Sequence, residues 1–202
     1  MFTGIVEETG TIEQIKPTGK SIALTVRANV CGRGLKIGAS VAVNGCCLTV
    51  IKKSRTAFFA DVVPETLRRT NLGRVEPGGR VNLELPLAAN GLLDGHLVQG
   101  HVDAISRVKR VSTVAAGQEV VIGLPRALEQ FVAEKGSIAV DGVSLTVAAV
   151  DDKASTFTVA LIPHTLAMSI SGEYKRGSIV NLEADVVARY VARGRGLRYL
   201  HR

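Results

Sequence analysis

The chain has 202 residues, 46% of them hydrophobic, and a net charge of +7. That length holds one large domain or two small ones, each with a core of its own. No apolar run approaches the roughly 20 residues of a membrane-spanning helix, and "MFTGIVEETG" lacks the basic and apolar regions of a secretion signal, which together predict a cytoplasmic protein.

Taken in chain order, the texture is β: short runs of Val, Ile, Leu and Thr, punctuated by Gly, Pro and Asn. "VAVNGCCLTV" (Val41–Val50) places Asn44-Gly45 between two apolar runs, a type I′ hairpin signal because both turn residues need positive φ. Alternation puts Cys46 and Cys47 on opposite faces, with Cys47 beside Thr49. "PETL" at Pro64 opens a short turn over Thr66–Leu72, and "PGGRVNLEL" reads as a turn and a strand. Pro125–Lys135 is predicted helical, with Leu128, Phe131 and Val132 on one side. "IAVDGVSLTV" (Ile138–Val147) is a second hairpin, turning at Asp141-Gly142, and "KRGSIVNLEA" is another turn and strand. "EADVVARYVARGRGL" predicts a last helix with Val186, Val187, Tyr190 and Val191 on one face, which needs a partner and suggests oligomerisation. Five arginines lie between Arg189 and Arg202, and they read as a solvated helix end rather than a nucleic-acid arm.

The organising fact is a repeat. Gly38–Val50 aligned with Lys135–Val147 gives seven identities in thirteen positions. "PETL" then meets "PHTL", "VNLE" occurs twice, and "TGIVEE" falls over "QGHVDA", so that Gly4 matches Gly100 and Ile5 matches His101. Two copies are too few for a solenoid. They predict two related all-β domains of roughly 90 residues, each a small closed barrel, with a helical extension that has no counterpart in the first copy.

Chemistry has few candidates. Cys31, Cys46 and Cys47 have no C-x2-C spacing, so they form neither a disulfide framework nor a zinc site. His96 and His101 lack a third ligand and make no metal site; His101 is the better acid–base candidate, and His96 reads as structural or surface. A face carrying Cys47 and Thr49, or Ser144 and Thr146, either lines a barrel core or sits at a rim where a ligand approaches. There is no dinucleotide fingerprint, P-loop or nucleophile elbow.

The stretches "MFTGIVEETG", "NGCCLTV", "PETLRRTNLG", "GHLVQGHVD", "KGSIAVDGVSLTV" and "VNLEADVVARYV", in this order over residues 1 to about 192, resemble the riboflavin synthase family of the α-chain type. The resemblance implies two six-stranded Greek-key antiparallel barrels in tandem, at residues 1–92 and 93–184, with an oligomerisation helix and basic tail at 185–202. It implies dismutation of two molecules of 6,7-dimethyl-8-ribityllumazine to riboflavin and 5-amino-6-ribitylaminouracil, with no metal or organic cofactor. It further implies a homotrimer with two lumazines meeting in each active site between subunits, and it raises lumazine synthase as a partner. Carried over by motif, the first barrel's site comprises Gly4, Ile5 and Val6, then Cys47, Leu48 and Thr49, then Asp61, Val62, Val63, Pro64, Glu65 and Thr66. The second barrel's site comprises Gly100, His101 and Val102, then Lys135, then Ser144, Leu145 and Thr146, then Ala160, Leu161, Ile162, Pro163, His164 and Thr165. His101, Ser144 and Cys47 are the implied proton and nucleophile groups. Asp94, "LAMSIS" and the glycines of the tail depart from the family pattern. The rival reading is a catalytically silent lumazine- or flavin-binding antenna protein of the same fold.

Overall fold

The computed structural model describes residues 1–196. Six strands close the first barrel: β1 (Glu8–Thr18), β2 (Ser21–Arg27), β3 (Ser40–Val43), β4 (Cys46–Lys53), β5 (Ala57–Val62) and β6 (Arg80–Glu84). Six more close the second: β7 (Ala104–Val114), β8 (Gly117–Gly123), β9 (Ser137–Val140), β10 (Val143–Asp151), β11 (Thr156–Leu161) and β12 (Ile179–Ala184). Around the first barrel the order is β1-β2-β5-β4-β3-β6, and the second repeats it; the jump from β2 to β5 is the Greek-key crossover. All pairings are antiparallel, and register shifts fall at matching places: Ile12/Gln14 with Val108/Arg110, and Val50/Lys52 with Val147/Ala149. Such bulges supply the bending that closure of a short-stranded barrel demands. Each barrel fills with one alternate set of side chains, including Ile12, Leu24, Phe58 and Leu83 in the first and Val108, Ile122, Phe157 and Leu182 in the second.

Among the described residues four helices sit outside the barrels: α1 (Cys31–Gly34), α2 (Pro64–Arg69), α3 (Pro163–Met168) and α4 (Val186–Gly196). The helix expected over Pro125–Lys135 is only a 3-10 segment, Arg126–Phe131, after which the backbone turns extended at Val132 (φ −104°, ψ 119°). Among the described residues no helix is long and apolar enough to cross a membrane.

The barrels meet around an approximate two-fold axis. The turns Asn44-Gly45 and Asp141-Gly142, all four residues at positive φ, stand back to back: a Cβ on Gly45 would lie 2.6 Å from the Gly142 nitrogen, and one on Gly142 2.7 Å from that of Gly45. Glycine is therefore required twice over, by backbone sign and by backbone contact.

A buried polar net surrounds the axis. Asn82 Nδ2 donates to the Asp141 carbonyl (2.9 Å), and Asn181 Nδ2 donates to the Asn44 carbonyl (2.7 Å). The copies differ where Asp141 replaces Asn44. Its carboxylate accepts from the Asn181 amide (2.7 Å), Asn71 Nδ2 (2.8 Å) and the Tyr174 hydroxyl (2.7 Å). Burial pushes Asp141 up to about 7, against the pull of those three donors.

A carboxyl whose folded pKa is raised contributes its stability fully below its unfolded value, about 3.9, and loses it as pH rises toward the folded value. Asp141→Asn keeps an acceptor for Asn181 and Asn71, and the Tyr174 hydroxyl rotates to accept from the new amide. The variant's stability relative to the native chain is therefore expected to rise between about pH 4 and 7 and to level off above, by a total of a few kcal/mol. Urea midpoints of both proteins at pH 5 and pH 8 check this; a difference that does not change with pH overturns it.

Candidate functional site

In β4 the side chains of Cys46, Leu48 and Val50 enter the barrel core, while Cys47 is half-buried and Thr49 exposed on the outside. In β10, Val143, Leu145 and Val147 point in, and Ser144 and Thr146 point out. The small polar pairs thus belong to the outer surface, not the core. Strand pairing sets each in a row: Glu84, Ala42 and Cys47 across β6, β3 and β4, and Glu183, Ala139 and Ser144 across β12, β9 and β10.

Two extended segments lie on these rows. Phe2 and Val98 pair with each other through N–H···O bonds of 2.7 and 3.1 Å. Beyond Phe2, the Gly4 carbonyl accepts from the Ser144 amide (2.7 Å); beyond Val98, the Gly100 carbonyl accepts from the Cys47 amide (2.9 Å). A Cβ on Gly4 would stand 2.7 Å from Ser144 Cβ, and one on Gly100 2.5 Å from Cys47 Cβ. Val6 packs against the second core and Val102 against the first.

This corrects the grouping expected from chain order. Gly4, Ile5 and Val6 line a cavity of about 100 Å³ with Ser144, His164 and Thr165 of the second barrel. Gly100 and Val102 serve the first barrel, beside Cys47. The physical reason is the Phe2–Val98 pairing, which directs each leading segment onto the opposite barrel.

The other candidates divide by exposure. Val62, Leu48, Leu145 and Leu161 fill barrel cores, so only their backbones can face a ligand. Asp61, Val63, Pro64, Ala160, Ile162, Pro163 and His101 are exposed at the barrel surface, and Thr66 is half-buried on α2. Glu65 and His164 occupy matching places on α2 and α3 but differ in use. Glu65 pairs with Arg69 and Arg68, which hold its carboxyl below the usual range, whereas His164 borders the cavity. Lys135 stands at φ +67° where the first copy has Gly38 at +85°, and the backbone N–H of each bonds back to the last core valine of its barrel's long strand. An ordinary residue in that region is strained, and such strain collects at functional positions.

His96, which the sequence reads as structural or surface, stands inside the fold beside Ser144. It is buried, and its Nδ1 lies 2.7 Å from Ser144 Oγ. Burial pushes the imidazole below its ordinary range, with the charge of Asp185 opposing. A neutral imidazole against a serine hydroxyl can relay a proton. The signal that could have found it was its position four residues before Gly100, on a segment that must cross to Ser144. Cys31 and Cys46 are buried thiols that burial pushes up to about 12, leaving Cys47 as the accessible cysteine. No metal-binding cluster of His, Cys, Asp or Glu occurs among the described residues.

The two faces of β4 separate function from packing. Cys47→Ala is expected to lower kcat severalfold with little change in Tm. Cys46→Ala should cost about 1 kcal/mol of stability and leave kcat near native. Steady-state kinetics with thermal melts of both variants check this, and equal kcat losses would refute the assignment.

The Lumazine binding domain family model matches residues 3–86 and 99–185, one match per barrel. Riboflavin synthase of Bacillus amyloliquefaciens is 43% identical over 202 residues, covering 100% of this chain and 91% of that protein. Riboflavin synthase of Mycobacterium tuberculosis (strain H37Rv) is 44% identical over 195 residues, covering 96% and 97%. Among solved structures, LumP complexed with 6,7-dimethyl-8-(1'-D-ribityl) lumazine superposes with a TM-score of 0.82 at 23% identity, covering 91% of this chain and 99% of that one. LumP complexed with riboflavin gives 0.84 at 24%, with the same coverage. These two share the fold. With twin barrels, twin lumazine-domain matches and full-length identities above 40%, the chain belongs to the riboflavin synthase family of enzymes.

Proposed function

We propose that this enzyme dismutates two molecules of 6,7-dimethyl-8-ribityllumazine into riboflavin and 5-amino-6-ribitylaminouracil, at sites completed by a second copy of the chain. The observation that carries this reading is the pair of outward-facing sites, alike in backbone and unlike in chemistry: Cys47 under Gly100 on one barrel, Ser144 under Gly4 on the other. A reaction that uses one molecule as both donor and acceptor of a four-carbon unit needs two related sites with different groups. The exchange balances without oxidant, reductant or net water, so it calls for no redox cofactor. On this reading the barrels of residues 1–92 and 93–184 are the two lumazine-binding units, each covered by the other's leading segment, and residues 185–202 serve assembly.

Assembly between copies is supported by size and cover. The cavity beside Ser144, about 100 Å³, is well below the ~300 Å³ at which small-molecule pockets begin. Ile5, Ile162 and Met168 stand exposed around that site, and the buried cluster of Phe2, Ala42, Val98 and Ala139 fills the space between the two rows within one chain. Two stacked lumazines therefore require a neighbour's barrel. We take the assembly to be a homotrimer built on α4.

In the second barrel, His96 and Ser144 form the proton-transfer pair that acts on the acidic C7 methyl group of one lumazine. In the first, Cys47 and His101 face the partner molecule. His101→Gln is expected to lower kcat at least about tenfold at pH 7 while changing lumazine affinity much less. Fluorescence titration and riboflavin formation on the same samples separate the two; a defect confined to binding makes His101 a pocket wall.

The reading itself is tested by incubating the protein with the lumazine and following products. Riboflavin and the pyrimidine should appear in equal amounts. Lumazine that binds and remains unchanged would favour the antenna reading instead.

A further inference from the structure

The roles assigned above leave two buried carboxylates unused. Glu84 and Glu183 are each 4% exposed, hold equivalent places on β6 and β12, and have no ion-pair partner among the described residues. Burial raises both above the ordinary carboxylate range, and hydrogen bonds from main-chain N–H groups pull the other way. Two such groups would be a liability unless their acceptors were committed. They are. Glu84 Oε1 accepts from the Thr3 amide (2.6 Å) and hydroxyl (2.7 Å), and Oε2 accepts from the Gly4 amide (3.0 Å). Glu183 Oε1 accepts from the Gln99 amide (2.7 Å), and Oε2 accepts from the Gly100 amide (3.0 Å).

The direction of these grips is crossed. Gly4, held by a carboxylate of the first barrel, passes its carbonyl to Ser144 of the second; Gly100, held by a carboxylate of the second, passes its carbonyl to Cys47 of the first. We propose that Glu84 and Glu183 are crossed positioning residues: each barrel sets, through its own buried glutamate, the placement of the backbone that covers the other barrel's site. The functional meaning rests on reading Ser144 and Cys47 as lumazine positions; the geometric coupling does not.

The chemistry of the test follows from the two-oxygen grip. Glu→Gln exchanges one acceptor for an NH2 group, which faces a main-chain N–H it cannot accept from, so the segment is released on one side. Cys47 reports on the first barrel's cover without any ligand, because Cys31 and Cys46 are buried thiols pushed up to about 12. Alkylation of the full chain by a small maleimide is followed by mass spectrometry. Glu183→Gln should speed reaction of Cys47 at least about threefold, while Glu84→Gln leaves it near native. In a Cys47→Ala, Ser144→Cys background the order should reverse, with Glu84→Gln accelerating the new thiol and Glu183→Gln not. Equal acceleration by both variants, or a larger effect on the uncrossed side, overturns the proposal. If a glutamine variant does not fold, Glu84→Asp and Glu183→Asp, which keep the charge and withdraw the grip by one methylene, are judged by the same crossed pattern. A crossed pattern in a protein that leaves lumazine unconverted would retain the coupling and discard the functional reading.

Discussion

Truncating the chain after Asp185 is expected to lower riboflavin formation at least about a hundredfold while both barrels stay folded, because pairing two bound reactants can supply ~7–11 kcal/mol of a barrier. The helix removed presents Val187, Tyr190 and Val191 to solvent, at 58%, 72% and 52% exposure, an apolar face with no partner among the described residues. Its inner side is anchored: Arg189 donates to both Asp103 oxygens (2.7 and 2.9 Å) and lies over the Phe131 ring. Losing that anchor frees Asp103 and uncovers Phe131, so a Tm drop of a few degrees accompanies truncation. Tyr190→Glu with Val191→Glu keeps the anchor and spoils only the outer face, and it should reproduce the loss of activity without the Tm drop. Sedimentation should find smaller species in both. A fully active monomer would remove the need for a second copy. Residues 197–202, which carry two of the tail arginines, lie outside the described structure.

Ser144→Ala and His96→Gln should each lower kcat by about 10²-fold, the middle of what a placed acid–base group supplies. The two groups touch, so the double variant should cost little more than either single one. Glutamine in place of His96 can still hydrogen-bond Ser144 but cannot take up its proton. Because burial holds the imidazole neutral, the acid limb of kcat should lie below the ordinary histidine value of about 6.5. In stability the sign is the same: a histidine with a depressed folded pKa contributes stability above its unfolded value and loses it as pH falls through the folded one. Rate measurements from pH 5 to 8, with urea midpoints at the ends, separate the roles. A His96→Gln protein with native kcat and only the stability change would make His96 a structural residue.

The fold was legible because the determinants of a closed barrel are local and were written twice. Asn44-Gly45 and Asp141-Gly142 fix two hairpins by the sign of φ, and alternation along Cys46–Val50 and Val143–Val147 fixes which side chains enter the cores. The sites were legible as stretches but not as sets. Gly4 and Ser144 are far apart in sequence, and the Phe2–Val98 pairing that crosses the segments leaves no periodic trace. The contact of His96 with Ser144 was hidden for the same reason, since its neighbour lies 48 positions away. The helices α1 and α3 were also unforeseen, being four and six residues long, too short for a helical period to register. At Pro125–Lys135 the period was present, but the backbone is 3-10 over Arg126–Phe131 and extended from Val132.

The crossed segments also order events during synthesis. Strands β1–β6 close on themselves without a strand from the second half, so the first barrel can form as soon as it has been made. Its leading residues cannot then dock in full. Phe2 has no pairing partner until Val98 exists, and the Gly4 carbonyl has no donor until the β9–β10 hairpin presents the Ser144 amide. The segment that leads into the first barrel thus settles later than the strands that follow it. A nascent chain stalled after β6 carries a finished barrel whose leading segment is gripped by Glu84, while the Phe2 side chain still lacks its cover from Val98 and Ala139.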